Sequence, residues 1–168
     1  MCAGQLPKME ISRMDRLDKL WAMEEIRQLK ARYFRYLDTQ DWAGMRTIWT
    51  ADAVFDARTA RTIGGSTQAA PSGSDDWVYS GCDSIVDFIA SVATLPSAHH
   101  GHCHEIEVLS PTEARGIIAM EDRVWPATGA THSTSLHGYG HYHEVYRLVD
   151  GSWRIARSQL TRLNVSSS

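Results

Sequence analysis

The stretch of sequence that decides the fold is residues 136–163, LHGYGHYHEVYRLVDGSWRIARSQLTRL, in which Asp150-Gly151 separates two runs with strand character. An Asp-Gly pair between such runs is a strong β-hairpin signal, because both residues tolerate the positive φ of a tight turn. Two earlier segments, 98–109 and 113–125, have the same character and are separated by Ser110-Pro111-Thr112. We therefore expect consecutive antiparallel strands in the second half of the chain.

The first half of the chain carries helical patterns instead. From residue 14 to about residue 37, apolar side chains recur every three to five positions, which indicates a long amphipathic helix. Asp41 is a suitable N-cap for a short second helix, and Gly81-Cys82-Asp83 opens a third. A short strand is expected at 53–57. The composition of residues 58–76 predicts a long loop, which could form a lid over a binding site. Helices followed by hairpins predict an α+β domain, with the helices packed on one face of an antiparallel sheet.

Composition excludes several classes of protein. The 168 residues fit one domain, which we place at 14–163 between loose segments at 1–13 and 164–168. An apolar content of 43% excludes a disordered chain, and a net charge of -3 without a basic stripe argues against nucleic-acid binding. No apolar run reaches the length of roughly 18 residues that a membrane helix needs. Three cysteines without regular spacing indicate a reducing compartment, so we expect a cytoplasmic protein.

Histidine is concentrated in the sheet, since all eight histidines follow residue 98. Strand alternation would place His100, His102 and His104 on one face, and His99 and Cys103 on the other. Such a row could hold zinc if another strand supplied a ligand, but no HExxH or CxxC pattern accompanies it. We favour an interface role for the row and predict no metal site.

Asp38 lies near the end of the first helix, where the helix dipole disfavours a carboxylate. It either begins the turn that leads to Asp41, or lies beneath the sheet, where it would orient a histidine or act as a base. Tyr33 precedes it by five residues, so both could border one cavity if Asp38 lies past the helix end. Spacing alone leaves these alternatives open.

Several blocks of the sequence resemble SnoaL-like members of the NTF2-like superfamily, over roughly residues 15–163. The resemblance implies a cone-shaped fold, in which about three N-terminal helices pack on a curved antiparallel sheet that is open at one end. The matching blocks are 33–38 (YFRYLD), 49–53 (WTADA), 98–100 (AHH), 106–108 (IEV), 142–144 (YHE) and 150–155 (DGSWRI).

Within this superfamily the chain is most similar to scytalone dehydratase, bile-acid 7α-dehydratase and the lindane dehydrochlorinase group. Those enzymes use an Asp–His pair for proton abstraction and elimination. Carried over by motif, the resemblance implies that Asp38 and His99 are catalytic. It also places Tyr33 beside them, where it would donate a hydrogen bond to a developing oxyanion or a departing hydroxyl.

The sequence departs from these relatives at two positions. The arginine of their final strand falls at Ser158 here, although Arg157 is adjacent. The second active-site histidine of scytalone dehydratase falls near Val124-Trp125, where no histidine stands. Histidines of the neighbouring strand could substitute for it, namely His137, His141 or His143.

The resemblance implies a small-molecule lyase of the dehydratase or dehydrohalogenase type that needs no cofactor. Its substrate would be small, hydrophobic and ring-containing, and the protein would form a homodimer or homotrimer. The alternatives are an isomerase, hydrolase or cyclase that works in the same pocket, and a non-catalytic binding domain. The aromatic content fits an apolar pocket, and the residues expected to bind substrate are Tyr142, Trp125, Phe55, Trp42 and Phe88.

Overall fold

Three α-helices pack against a curved, unclosed six-stranded sheet, as the sequence predicts. The computed structural model describes residues 14–63, 66–67, 77–127 and 134–167. The helices are α1 (Arg16–Asp38), α2 (Trp42–Thr47) and α3 (Cys82–Val92), with a 3-10 turn at Arg58–Arg61. The strands are β1 (Trp49–Asp56), β2 (Thr62–Ile63), β3 (Ser66–Thr67), β4 (Val78–Ser80), β5 (Ser97–Ser110), β6 (Glu113–Val124), β7 (Leu136–Val149) and β8 (Ser152–Ser167).

The main sheet is mixed, whereas the sequence predicts a wholly antiparallel one. Its strand order is β4-β1-β8-β7-β6-β5, and β2 and β3 form a separate two-stranded hairpin. All neighbours in the main sheet are antiparallel except β1 and β8, which run parallel. The antiparallel hairpins follow from tight turns, but β1 and β8 lie far apart in sequence, so no turn imposes their relative direction.

The turn at residues 150–151 has the predicted backbone geometry. Asp150 has a φ of +51° and Gly151 has a φ of +73°, and β7 and β8 pair from Val149 and Ser152 onward. The pairing continues to Leu136 and Ser167. Residues 164–167, expected in a loose tail, are therefore the end of β8, because β7 is long enough to offer them backbone partners.

One bulge changes which histidines share a face of β5. The register of β5 against β6 shifts between His102 and Glu105, and Cys103 has a φ of +43°. His104 consequently lies on the inner side, where its Cε1 would be 3.3 Å from a Cβ at Gly101. The prediction that His104 shares a face with His100 and His102 is wrong, because the extra residue reverses the alternation.

The inner face of the sheet is covered mainly by α1. Ile26, Leu29 and Phe34 of this helix are buried together with Trp49 and Ile155 of the sheet. The predicted lid falls largely outside the described residues, as does the predicted loose segment 1–13. None of the helices in the described part of the chain is long and apolar enough to cross a membrane.

Candidate active site

The last residue of α1 meets the start of β5 at the edge of the helical layer. Asp38 Oδ1 lies 2.6 Å from His99 Nδ1, and the His99 backbone N–H donates to Asp38 Oδ2 at 2.9 Å. Ser97 Oγ donates to Asp38 Oδ1 at 2.9 Å. The carboxylate is thus directed at the sheet rather than used to begin the turn after α1. The contact fixes the position of one imidazole nitrogen relative to the helix.

The second nitrogen of His99 is left as the proton acceptor. An ionised carboxylate only accepts hydrogen bonds, so Nδ1 carries the proton in the neutral ring and Nε2 has a free lone pair. Nε2 lies 3.8 Å from Asp122 Oδ2, and His99 and Asp122 are direct cross-strand partners. The ring is flanked by Phe34, whose ring is nearly parallel at a centroid distance of 6.3 Å. This arrangement suits an imidazole that takes up a proton at Nε2.

His99 forms part of the wall of an apolar cavity of about 360 Å³. Its polar lining consists of Tyr33, Ser97, His99 and Arg162. A cavity of this size and polarity suits a small, mainly hydrophobic molecule. Apolar side chains form the rest of the wall, and they include Leu37, Phe55, Phe88, Ile89, Val124 and Leu160.

The aromatic residues predicted to bind substrate separate into two groups. Phe55 and Phe88 line the cavity. Tyr142 is buried behind Tyr33, with ring centroids 5.7 Å apart. Trp42 packs against the core from α2, and Trp125, which is 40% exposed, lies in another cleft beyond the end of β6. Tyr142, Trp42 and Trp125 are not among the described residues that line this cavity. Aromatic character alone does not distinguish core positions from cavity positions.

Tyr33 lines the cavity, and its hydroxyl is neutral. Burial raises its pKa well above the ordinary value, and the hydrogen bond with Tyr142 raises the pKa further. The hydroxyl therefore keeps its proton throughout the neutral range. Only one of the two hydroxyls donates in the hydrogen bond between Tyr33 and Tyr142, so the Tyr33 O–H is available to a ligand when Tyr142 is the donor.

An ion pair that the sequence does not predict lies at the same end of the cavity. Arg162 Nη1 donates to Asp122 Oδ1 and Arg162 Nη2 donates to Asp122 Oδ2, each at 2.7 Å. Burial alone would lower the pKa of Arg162, but Asp122 outweighs it and the pKa is raised. The sequence does contain a signal, since Asp122 continues the alternation of buried Ile118 and Met120. A charged residue at a buried position requires a partner.

The structure shows where the side chains lie at the two positions that depart from the related sequences, namely Ser158 in place of an arginine and the histidines that could replace the missing one. Ser158 is fully buried and donates to Glu144 Oε1 at 2.9 Å, whereas the Arg157 side chain is 53% exposed on the other side of β8. His137 Nε2 contacts Glu121 Oε1 at 2.8 Å, and His143 Nε2 contacts Thr161 Oγ1 at 3.1 Å. The described histidines of β7 do not line the cavity, because the inner positions of this strand alternate with them.

A buried charge network lies beneath the cavity. Lys30 Nζ donates to Glu144 Oε1 at 2.7 Å, and the Tyr146 hydroxyl donates to Glu144 Oε2 at 2.5 Å. Lys30 also lies 3.8 Å above the ring of Tyr33 and 3.5 Å from that of Tyr142. Burial lowers the pKa of Lys30, although Glu144 opposes this shift. Lys30 and Glu144 therefore fix the positions of the two tyrosines.

Within the described ranges, we find no group of His, Cys, Asp or Glu side chains arranged to hold a metal ion.

The Asp38 contacts predict a loss of stability in acid. Burial alone would raise the pKa of Asp38, but the hydrogen bonds from His99 and Ser97 outweigh it, so the pKa falls below 3.8. The ionised carboxylate therefore stabilises the fold above its unfolded-state pKa, and this contribution is lost as pH falls through the folded-state pKa. Urea titrations at pH 6 and at stepwise lower pH should show Asp38→Asn less stable at pH 6. The difference from wild type should shrink below about pH 4. A difference that stays constant with pH would contradict the assignment.

A family model described as the SnoaL-like domain matches residues 18–159. The fold is also similar to that of a hexachlorocyclohexane dehydrochlorinase from Novosphingobium barchaimii, with a TM-score of 0.70, 18% identity, and coverage of 92% of this chain and 94% of that one. A Novosphingobium aromaticivorans protein named as a scytalone dehydratase has a TM-score of 0.70, 18% identity and 89% coverage of both chains. The Kfla4162 protein from Kribbella flavida has a TM-score of 0.71, 16% identity, and coverage of 88% and 95%. At these identities, the likeness to solved structures establishes the fold.

Proposed function

The chain belongs to the SnoaL-like domain family, and from this premise we propose that it is a small-molecule lyase. Asp38 and His99 would perform proton abstraction and elimination without a cofactor. The observation that supports this most directly is the 2.6 Å contact between Asp38 Oδ1 and His99 Nδ1 at the wall of an apolar cavity. The same contact holds the imidazole in one tautomer and stabilises the imidazolium that proton transfer creates.

In the proposed reaction, His99 Nε2 removes a proton from a ring carbon of the substrate. The electron pair of that C–H bond becomes the second bond of a carbon–carbon double bond, and a hydroxide or halide leaves the neighbouring carbon with its own bonding pair. The proton on His99 then passes to the leaving group or to water, so that the net product is an alkene plus H–X. Two carboxylates, of Asp38 and Asp122, flank the imidazolium. Tyr33 would donate a hydrogen bond to the departing group or to an adjacent oxygen.

The names of two structural neighbours support an elimination. One is a hexachlorocyclohexane dehydrochlorinase, which by its name eliminates hydrogen chloride, and the other is named as a scytalone dehydratase. By their names, the first enzyme removes hydrogen chloride and the second removes water. A base at the wall of a ring-sized cavity serves either of them, which is why we propose a small hydrophobic ring compound as the substrate.

The test is a product analysis with the purified protein. Hexachlorocyclohexane and scytalone are incubated with it in water labelled with ¹⁸O, and chloride release, enone or arene absorbance and product mass are measured. Loss of HCl or H₂O without label in the product is the expected result. Label in the product would indicate a hydrolase, and a product of unchanged mass would indicate an isomerase or cyclase. Ligand binding without conversion in a wider set of ring alcohols and ring halides would contradict the proposal and favour a binding domain.

A further inference from the structure

The histidine-rich start of β5, residues 99–104 (HHGHCH), contributes only His99 to the proposed reaction. The main sheet ends at β5, so one side of this strand has no neighbouring strand and is flanked by α1 instead. An open groove of about 500 Å³ lies between the two elements. We call it the edge groove, and its lining includes Arg27, Phe34 and Arg35 of α1 and residues 99–102 and His104 of β5.

The bulge at Cys103 decides which histidines reach the edge groove. In a regular strand His102 and His104 would point to the same face, but the extra residue turns His104 to the inner side. His104 is half-buried there, whereas the His102 side chain is 53% exposed on the outer side. Because β5 is the edge strand, the groove reaches side chains from both of its faces, and both histidines line it.

Positive charge predominates in the edge groove. Its lining contains two arginines, Arg27 and Arg35, and the one carboxylate that the described part of the chain contributes to it is Asp38. Asp38 is already bonded to His99. Arg27 contacts Glu24 at 3.8 Å, and both side chains are nearly half exposed, so this ion pair neutralises little of the charge. The groove therefore suits a negatively charged ligand.

His104 lies among these positive charges. Lys30 and Arg27 of α1 and His102 of its own strand act on it, while Glu144 of β7 opposes them but is bonded to Lys30. Burial lowers the pKa of His104 below its usual 6.5, and the charges of Lys30 and Arg27 lower the pKa further. The imidazole is therefore mainly neutral at pH 7. A bound anion would favour the protonated ring, in which both nitrogens donate.

His102 also remains able to contact a ligand. Glu121 of β6 faces it from the outer side of the sheet, with 3.8 Å between Glu121 Oε2 and His102 Nε2. The same carboxylate makes a closer contact with His137 of β7, at 2.8 Å. The ring of His102 is stacked on that of His100, with centroids 6.3 Å apart. A ligand in the groove would compete for His102 only with the longer of the two Glu121 contacts.

We propose that the edge groove binds a phosphate group, free or carried on a larger molecule, between Arg27 of α1 and His102 and His104 of β5. A guanidinium presents paired donors to phosphate oxygens, and the two imidazoles add further N–H donors. The other end of the groove suits an anion less, because Asp38 lies there. Arg35 belongs to that end, since eight residues of helix place it about 12 Å from Arg27. The assignment does not depend on the lyase reaction.

The test is an NMR titration of the histidine Cε1–H signals with inorganic phosphate and, separately, with glycerol 3-phosphate. Ionic strength is held constant with sodium chloride. The His104 signal, identified by its loss in His104→Gln, should shift and saturate with a Kd of about 1 mM. The pKa of His104 should rise when the anion is bound, because the anion offsets the charges of Lys30 and Arg27. Tighter binding of inorganic phosphate would assign the free ion as the ligand, and tighter binding of the ester would assign a phosphate carried on an organic molecule.

Substitutions of arginine separate a site from general attraction by net charge. Arg27→Gln should weaken phosphate binding at least about five-fold, because it removes a charge-assisted hydrogen bond. Arg32→Gln removes an equal charge from the same helix outside the groove lining, and it should bind phosphate as wild type does. His141→Gln, on β7 and also outside the lining, is the matched control for His104→Gln and should leave the affinity unchanged.

Two results would overturn the assignment of the edge groove. One is a His104 signal that does not saturate with either phosphate compound, or that moves equally with sodium chloride alone. The other is equal phosphate affinity in Arg27→Gln and Arg32→Gln while circular dichroism shows both to be folded. Unchanged turnover in His99→Gln would reject the lyase mechanism and leave phosphate binding as it is, so the two proposals can be rejected separately.

Discussion

Replacement of His99 by glutamine is expected to lower the rate of elimination by about 10²- to 10⁴-fold, the usual contribution of a positioned general base. Glutamine can keep a hydrogen bond to Asp38 but cannot take up a proton. Asp38→Asn should also lower turnover by at least about 10²-fold, because an amide neither holds the Nδ1–H tautomer nor stabilises the imidazolium. The measurement is kcat on whichever substrate wild type converts, with circular dichroism and thermal melting as evidence of folding.

The matched control for these variants is His100→Gln. His100 is the next residue on the same strand, and it is exposed on the opposite face. Its replacement should leave kcat within about two-fold of wild type, as expected for a surface substitution outside the site. If His99→Gln and His100→Gln retain equal activity, His99 is not the base. If Asp38→Asn alone retains full activity, the carboxylate has no role in the chemistry.

Replacement of Lys30 by methionine is expected to destabilise the protein by about 3–5 kcal/mol, the cost of breaking a buried ion pair from one side. Both side chains of the pair are fully buried, so the substitution removes the cationic partner of Glu144 from an interior that water does not reach. The hydroxyls of Tyr146 and Ser158 still donate to Glu144, but neither neutralises it. The measurement is the free energy of unfolding from urea titrations at neutral pH.

Two further variants test the cause of that loss. Lys19→Met makes the same substitution at an exposed position of α1 and should change stability by less than about 0.5 kcal/mol. The double variant Lys30→Met/Glu144→Gln should be more stable than Lys30→Met, because it removes the unpaired charge while the amide oxygen still accepts from Tyr146. Equal stability of Lys30→Met and Lys19→Met, or no recovery in the double variant, would contradict the role of the pair.

The parts of the fold that depend on neighbours in sequence were predictable. The periodicity of residues 14–37 and the Asp150-Gly151 turn describe α1 and the β7–β8 hairpin, because each is decided within a few residues. The bulge at Cys103 and the parallel pairing of β1 with β8 were not predictable. Each depends on how two strands fit against one another, and no turn signal in the sequence specifies that fit.

The site was only partly predictable for a related reason. Asp38 and His99 lie 61 residues apart in the chain, and local spacing left the role of Asp38 open. The resemblance to related sequences singled them out, and their catalytic role stays a prediction. Asp122 and Arg162 were not singled out, because nothing in the local sequence places a side chain of β6 beside a side chain of β8 across Gly138.

The sequence by itself determined the three helices, the four long strands of the second half and the tight turn at Asp150-Gly151, since these follow from local backbone preferences and periodicity. Only the tertiary structure decided that Asp38 meets His99, that Arg162 reaches Asp122 across Gly138, and that Lys30 is buried on Glu144. Such pairs form because the free energy of a buried charge depends on which group lies beside it in space. That neighbour is set by the packing of distant elements.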